Sequence, residues 1–301
     1  MKTYLDCIPC ILRQSLEAAR MVSSDTDAHE KIMRNVLQWA GEMDLNQSPP
    51  AMAQRFHRHL RKMTGVDDPY RQAKERLNQL ALELIPPFQA RVEADSDPLQ
   101  MAVRLAIAGN IMDMGVIGNL TEAEVRQTMD QALHAPFFGE MDKFRQAVAD
   151  AQSILYLADN AGEIAFDRLL IEQLLPKQIT LVVRGAPVIN DVTLIDAQAV
   201  GLDKMVEVID NGSDAPGTIL SDCSPEFSRR FAEADLIIAK GQGNFETLNT
   251  ASGNLFFLFK VKCPMVADLL KQPVGMQMLI PTNVGSPTFT PTTPTAICLK
   301  G

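Results

Sequence analysis

The sequence predicts an α/β protein in two parts: a helical first half packed on a second half built around a mostly parallel sheet with helices on both faces. Two observations carry this. Up to about residue 150 the apolar positions keep helical spacing, as in Ile32, Val36, Leu37, Ala40 and Met43. Beyond that point, short β-branched runs alternate with helical segments, the pattern of parallel strands joined by crossover helices. The expected division is a helical domain over 1–150, an α/β domain over 151–279 and a loose Pro/Thr-rich tail over 280–301.

In the helical half, Ala73, Leu77, Leu80, Ala81 and Leu84 form a second apolar stripe. Turn chemistry sets the breaks. Asn46-Gln47-Ser48-Pro49-Pro50 ends one helix and starts the next, and Pro69 follows Asp67-Asp68 as a first-turn proline after a cap. Pro86-Pro87 is expected to close that helix. Pro98 opens a segment over 99–114 that is apolar on nearly every face and so expected to be buried. His57 and His59 stand among Arg55, Arg58, Arg61 and Lys62 and read as a solvated basic face rather than a metal site. In the second half the expected strands are 154–158, 179–183, 205–209, 235–239 and 255–261. The expected helices are 159–175, 191–199, 225–234 and 264–270.

Composition narrows the function. A 301-residue chain that is 46% hydrophobic and 22% charged is an ordinary soluble globular protein. No apolar run is long enough to cross a bilayer and no leader-type segment follows the start, so neither a membrane nor secretion is expected. Five scattered cysteines do not make a disulfide framework, and a reducing cytoplasm is the simplest compartment. The net charge of −9 disfavours a nucleic-acid partner. It leaves room for a small anionic substrate, because a few local basic groups can reverse the sign inside a cleft.

The stretch from Ser153 to Glu163, SILYLADNAGE, carries the densest chemical signal. An apolar strand ends abruptly in Asp159-Asn160, then Gly162, then an amphipathic segment beginning at Glu163. In open α/β sheets ligands sit where a strand's carboxyl end turns into a helix. An acid beside an amide there presents two oxygens to a hard cation. The same pair also serves as a turn and helix cap. The second strand runs into Arg184-Gly185-Ala186-Pro187 and then Asn190-Asp191, where Asp191 offers a third oxygen ligand. The third ends in Asp210-Asn211-Gly212-Ser213. The fourth ends in Lys240-Gly241-Gln242-Gly243-Asn244-Phe245-Glu246, whose backbone N–H groups and lysine suit a phosphate. That turn is not a P-loop, because the lysine precedes the glycines, and it lacks the third glycine of a dinucleotide fingerprint. Acids, amides, an arginine and a lysine thus converge on one sheet edge, which favours a metal with a phosphate.

Six motifs in order give the chain a family resemblance. They are Cys7-Ile8-Pro9-Cys10; Asp68-Pro69-Tyr70 with Lys74 and Asn78; Gly109-Asn110-Ile111-Met112-Asp113; Asp159-Asn160-Ala161-Gly162-Glu163; Asn190-Asp191-Val192-Thr193; and the Lys240 to Glu246 turn. Through these the sequence resembles the damage-control phosphatases, catalogued as domain of unknown function 89, up to about residue 280. Its CxxC is similar to that of the stand-alone archaeal and bacterial branch.

The resemblance implies a helical domain on a Rossmann-like α/β/α domain. It also implies a divalent metal (Mn, Co, Ni or Mg) on Asp159, Asn160 and Asp191. The implied activity is hydrolysis of small phosphate monoesters, such as damaged or surplus sugar phosphates, by a metal-activated water. Asp159 and Lys240 are then catalytic. Lys240, Arg184, Asn110, Asp113, Gly162, Glu163 and Asn190 are expected on the substrate's phosphate side.

Cys7 and Cys10 stay outside that chemistry. No strand precedes them as in thioredoxin-like motifs, and two thiols are only half a zinc site, so a structural, metal or redox role is open. Two other readings also stand. Glycine-rich turns after strands suit an S-adenosylmethionine-dependent methyltransferase, although Asp159, Asn160 and Asp191 fit that poorly. A non-enzymatic CxxC metal-binding module leaves the polar strand ends unexplained.

Overall fold

The computed structural model describes residues 1–115 and 121–282. The first half forms α1 (Cys7–Val22), α2 (Thr26–Gly41), α3 (Pro49–Thr64), α4 (Arg71–Ala94), α5 (Pro98–Ala108), a 3₁₀ turn (Gly109–Gly115), α6 (Glu122–His134) and α7 (Met141–Asp150). A short strand, β1 (Phe137–Gly139), interrupts it. The second half alternates: β2 (Ser153–Leu157), α8 (Glu163–Leu174), β3 (Gln178–Val183), α9 (Leu194–Ala199), β4 (Glu207–Asp210), α10 (Pro225–Glu233), β5 (Leu236–Lys240), α11 (Gly241–Leu248), β6 (Leu255–Lys260), α12 (Pro264–Leu270) and β7 (Gln277–Pro281).

The seven strands form one sheet in the order β1-β7-β6-β5-β2-β3-β4, and only the β6–β7 pair is antiparallel. The central strands are mostly apolar along both faces, apart from Ser153, Gln178, Thr180 and Lys240, because both faces are covered. Ile154 and Tyr156 of β2 point into the core shared with α4, α5 and α8, while Leu155 and Leu157 point to the opposite core with Phe227 and Phe231 of α10. The buried side chains of α2 to α6 and α8 join one face of the sheet in a single continuous core.

Four sequence expectations give way to packing. Pro86 and Pro87 lie inside α4 rather than closing it. Proline removes backbone donors there, but Leu84, Ile85, Phe88 and Val92 of the same helix are buried, with Phe88 edge-on to Phe166 at 6.1 Å between ring centroids. The apolar segment after Pro98 is buried as expected at Ala102, Val103, Leu105 to Ala108 and Met112, but it stays α-helical only to Ala108 and tightens into a 3₁₀ turn. The strands β1 and β7 carry no clear alternation of their own and take their places by pairing with each other in parallel. Ile280 and Pro281 therefore belong to the sheet; positions 283–301 of the expected tail lie outside the described residues.

The fourth concerns α3, whose basic face is solvated only in part: Arg55, Arg58, His59 and Lys62 are exposed, whereas Arg61 is half-buried and His57 is buried. Arg58 and Arg61 ion-pair with Asp214 in the loop after β4, and Gln54 donates to Asp214 and Asp222 at 2.7 Å each. His57 is buried at 3% exposure, and its Nε2 has no hydrogen-bond partner among the described residues. Burial, then the Arg61 charge, push its pKa down from 6.5 to about 3. The unfolded chain therefore binds one more proton than the folded one between those values, and stability falls as the pH drops through that window. Relative to His57→Gln, the wild-type protein is expected to lose about 2 kcal/mol between pH 7 and pH 5. Urea unfolding of both proteins at the two pH values checks this; parallel losses would contradict it.

Candidate active site

The loops after β2 and β3 are zipped together. Asn160 and Asp191 form an isolated antiparallel bridge, Ala161 N–H donates to the Asn190 carbonyl at 2.8 Å, and Val192 N–H donates to the Asp159 carbonyl at 2.9 Å. This pairing brings Asp159 and Asn160 onto one spot with Asp191, more than thirty residues away in sequence. Gly241, at φ +81°, closes over them: a β-carbon there would lie 2.0 Å from Asp159 Oδ2, so only glycine lets α11 begin against that carboxylate.

Electrostatics makes the spot unusual. The Asp159 carboxyl is pushed well above its ordinary range by burial, then by the charges of Glu163 and Asp191. Burial likewise raises Asp191 to about 6, although Arg184 Nε donates to its Oδ2 at 2.7 Å. The Arg184 side chain is 1% exposed; its Nη2 stands 4.0 Å from Asp159 Oδ1 and has no hydrogen-bond partner among the described residues. The Asn160 amide nitrogen donates to Asp159 Oδ2 at 2.7 Å and to Glu163 Oε2 at 3.0 Å. Two carboxylate acceptors fix the amide's orientation and leave Oδ1 as its free acceptor end.

The helical half closes the other side. Asn110 donates to Glu163 Oε2 at 3.0 Å. Asp113 accepts from Asn190 at 3.0 Å and from Lys262 Nζ at 2.6 Å, with side chains of Asp113 and Lys262 32% and 34% exposed. Burial opposes both charges, but each holds the other in its ionised form, so the Asp113 carboxyl is lowered and the Lys262 ammonium raised. Lys74, from α4, reaches Asp196 at 2.8 Å and the Asp191 carbonyl at 3.3 Å.

Two expected phosphate ligands are committed elsewhere. The N–H of Gly162 donates to Asn78 Oδ1 at 2.7 Å, so this glycine serves the junction with α4 and offers nothing to an anion. Lys240 is fully buried and spends its ammonium on the Ala106 carbonyl (2.8 Å), Glu163 Oε1 (2.7 Å) and Asp167 Oδ1 (2.6 Å). Burial acts against its charge, yet those two carboxylates leave it more firmly protonated than a free lysine. Sequence reasoning missed Lys262, Asp167 and Tyr156, whose hydroxyl donates to Asp167 at 2.9 Å. Lys262 was within reach of the strand-end rule, since it follows the apolar run of β6 directly. Asp167 and Tyr156 carried no signal, one lying within a helix and the other within a strand.

The chain's own residues fit a divalent cation. Five carboxyl groups (Asp113, Asp159, Glu163, Asp167 and Asp191) stand with three basic side chains (Arg184, Lys240 and Lys262) in one cluster, two more acids than bases. Among the described residues no group of three or more His, Cys, Asp or Glu side chains is arranged to hold a metal, so the set needs the Asn160 amide to complete it.

A mostly parallel α/β sheet packed against a helical half carries a buried carboxylate–amide cluster at its carboxyl edge, the position where ligands sit in open α/β sheets. The chain belongs to the damage-control phosphatase ARMT1-like domain family, which it matches over residues 3–278. It is 33% identical over 282 residues to a damage-control phosphatase of Pyrococcus horikoshii, covering 91% of this chain and 96% of that one. It is 34% identical over 282 residues to a damage-control phosphatase of Archaeoglobus fulgidus, covering 91% and 97%. The crystal structure of a duf89 family protein from Pyrococcus horikoshii superimposes with a TM-score of 0.85 at 30% identity, covering 94% of this chain and 99% of that chain. Among the described residues no helix is long and apolar enough to cross a membrane.

Proposed function

We propose that this protein is a cytoplasmic, metal-dependent phosphatase that hydrolyses small phosphate monoesters, among them damaged or surplus sugar phosphates. The observation that carries the reading is the cluster at the carboxyl edge of the sheet, which holds two more acids than bases, in a chain of a phosphatase family. Asp159 and Asp191 would hold the cation by their carboxylates, and Asn160 by the amide oxygen that its two carboxylate contacts leave free. When bound, a cation such as Mn²⁺, Co²⁺, Ni²⁺ or Mg²⁺ polarises phosphoryl oxygens and acidifies water.

The remaining residues divide the work by exposure. Arg184 Nη2 and the part-exposed Lys262 are the cationic donors that orient the phosphoryl group and stabilise its developing charge. Asn190 donates to Asp113, and Asp113 in turn positions Lys262. Glu163 is held on both oxygens and orients Asn160. Water is the attacking group in this scheme, because Asp159 and Asp191 are committed to ligation and Asp113 and Asp167 to Lys262 and Lys240.

The test is hydrolysis of para-nitrophenyl phosphate by chelator-stripped protein with Mg, Mn, Co, Ni or Zn added back, followed by a panel of sugar phosphates. Turnover restored by at least one metal is the expected result. No turnover of any compound with any metal would overturn the reading.

A further inference from the structure

The turn that delivers Asp191 is strained, and a residue of the helical half grips it. At its start the Gly185 N–H donates to the Ser213 carbonyl at 2.8 Å, and at its end Asp191 bridges to Asn160. Between these anchors Ile189 has φ +45°, and Asn190 and Asp191 follow it directly. In that region the β-carbon crowds the following carbonyl oxygen, so a β-branched residue stays there only where its surroundings impose it. The Asp191 N–H donates to the Val188 carbonyl at 3.1 Å and closes the chain around Ile189. The placement of Pro187 and Val188 therefore sets where Asp191 begins.

Arg61 of α3 acts on that placement from 126 positions away in sequence, with Nη1 donating to the Pro187 carbonyl at 2.8 Å. Its Nη2 pairs with Asp214, so one planar guanidinium spans the loops after β3 and β4. The Arg61 side chain is 19% exposed, and a charged donor to a carbonyl in so enclosed a setting makes a strong bond. Arg58, three residues earlier, gives its guanidinium to Asp214 and Asp222 instead. Lys74 reaches the Asp191 carbonyl at 3.3 Å, so two cations of the helical half grip the turn on either side of its strained residue.

We propose that Arg61 is a positioning residue for the candidate metal site: its bond to the Pro187 carbonyl holds Ile189 in the left-handed region and so presents Asn190 and Asp191 to Asp159 and Asn160. Without that bond Ile189 can relax toward negative φ by shifting Pro187 and Val188. The relaxation turns the peptide into Asn190, whose carbonyl accepts from the Ala161 N–H at 2.8 Å, and carries the Asp191 carboxylate off its place. The consequence for metal binding rests on the proposed function, whereas the hold on the turn does not.

The experiment is a double-mutant cycle on the full chain with Arg61→Met and Ile189→Asn, because asparagine tolerates the left-handed region that isoleucine resists. Residue-resolved hydrogen exchange of the metal-free protein reads the amides of Asp191 and Val192, and calorimetry with Mn²⁺ alone reads affinity. In the natural background Arg61→Met is expected to speed that exchange about tenfold and to weaken Mn²⁺ binding about tenfold. In the Ile189→Asn background the same change is expected to cost less than about threefold in either readout. Arg58→Met, which removes a partner of Asp214 without touching Pro187, is expected to leave both readouts as they are. Unchanged exchange in Arg61→Met, an equal loss in the two backgrounds, or an equal loss in Arg58→Met overturns the assignment. Should Arg61→Met be too unstable to measure alone, the two proteins carrying Ile189→Asn still decide, and a tenfold difference between them overturns it. A wild type that binds no Mn²⁺ counts against the metal reading alone, since the exchange comparison uses metal-free protein.

Discussion

Asp159→Asn is expected to cut metal-dependent hydrolysis severely and at the same time to stabilise the metal-free protein. The substitution keeps the side chain's shape against Gly241 and removes one acid from a cluster that holds two more acids than bases. Asp159 is disfavoured as a carboxylate by burial first, then by Glu163 and Asp191. A folded-state value raised above the unfolded one means that the native protein binds more protons, so stability falls as the pH rises through the raised value. For Asp191 that decline runs from about pH 4 to about pH 6. The chelated wild type is thus strained at neutral pH, and the asparagine variant should be more stable there by on the order of 1–2 kcal/mol. Divalent metal at a hundredfold excess over its dissociation constant should restore the wild type by about 2.7 kcal/mol and do nothing for the variant. Hydrolysis should drop by about 10²–10³-fold, the scale of removing one preorganised electrostatic contact. Thermal melts with and without metal, beside an activity assay, decide it. A variant that melts below the chelated wild type, or that retains the metal shift, refutes the assignment.

The architecture was legible because its physics is local. A five-residue apolar run that stops at Asp159-Asn160 is a buried parallel strand with a polar end, and the structure places it centrally in the sheet. The same rule found Asp191 and Arg184, which the loop pairing then brings to Asp159 and Asn160. What sequence could not show is which donors are already spent. Lys240 and Gly162 look like phosphate ligands from their glycine-rich surroundings, yet their partners Asp167, Glu163 and Asn78 come from other helices. On α3 most of the basic face is exposed as read, but the pairing of Arg58 and Arg61 was hidden for a related reason: its acidic complement, Asp214 and Asp222, lies more than 150 positions downstream. Local pattern reports what a residue can do, and only long-range contacts say what remains free to do it.

The two lysines turn that distinction into opposite expected outcomes. Lys240→Met should cost about 3–5 kcal/mol of stability, the scale of stripping one partner from a buried ion pair. It leaves Glu163 and Asp167 without their shared counter-ion in a fully buried setting, and Asp167 is already raised to about 6 by burial even with Lys240 present. Lys262→Met removes a lysine that keeps a third of its surface in solvent, so its pair with Asp113 is screened and contributes under about 1 kcal/mol. Its loss should instead appear in kinetics, as a KM for phosphate monoesters raised about tenfold, the equivalent of about 1.4 kcal/mol of binding. Urea unfolding and steady-state kinetics on both variants, with metal present, separate the roles. If Lys240→Met unfolds like the wild type while raising KM, and Lys262→Met leaves KM unchanged, then Lys240 is the residue that meets the phosphate. In that case the closed contacts around Lys240 must open when substrate arrives.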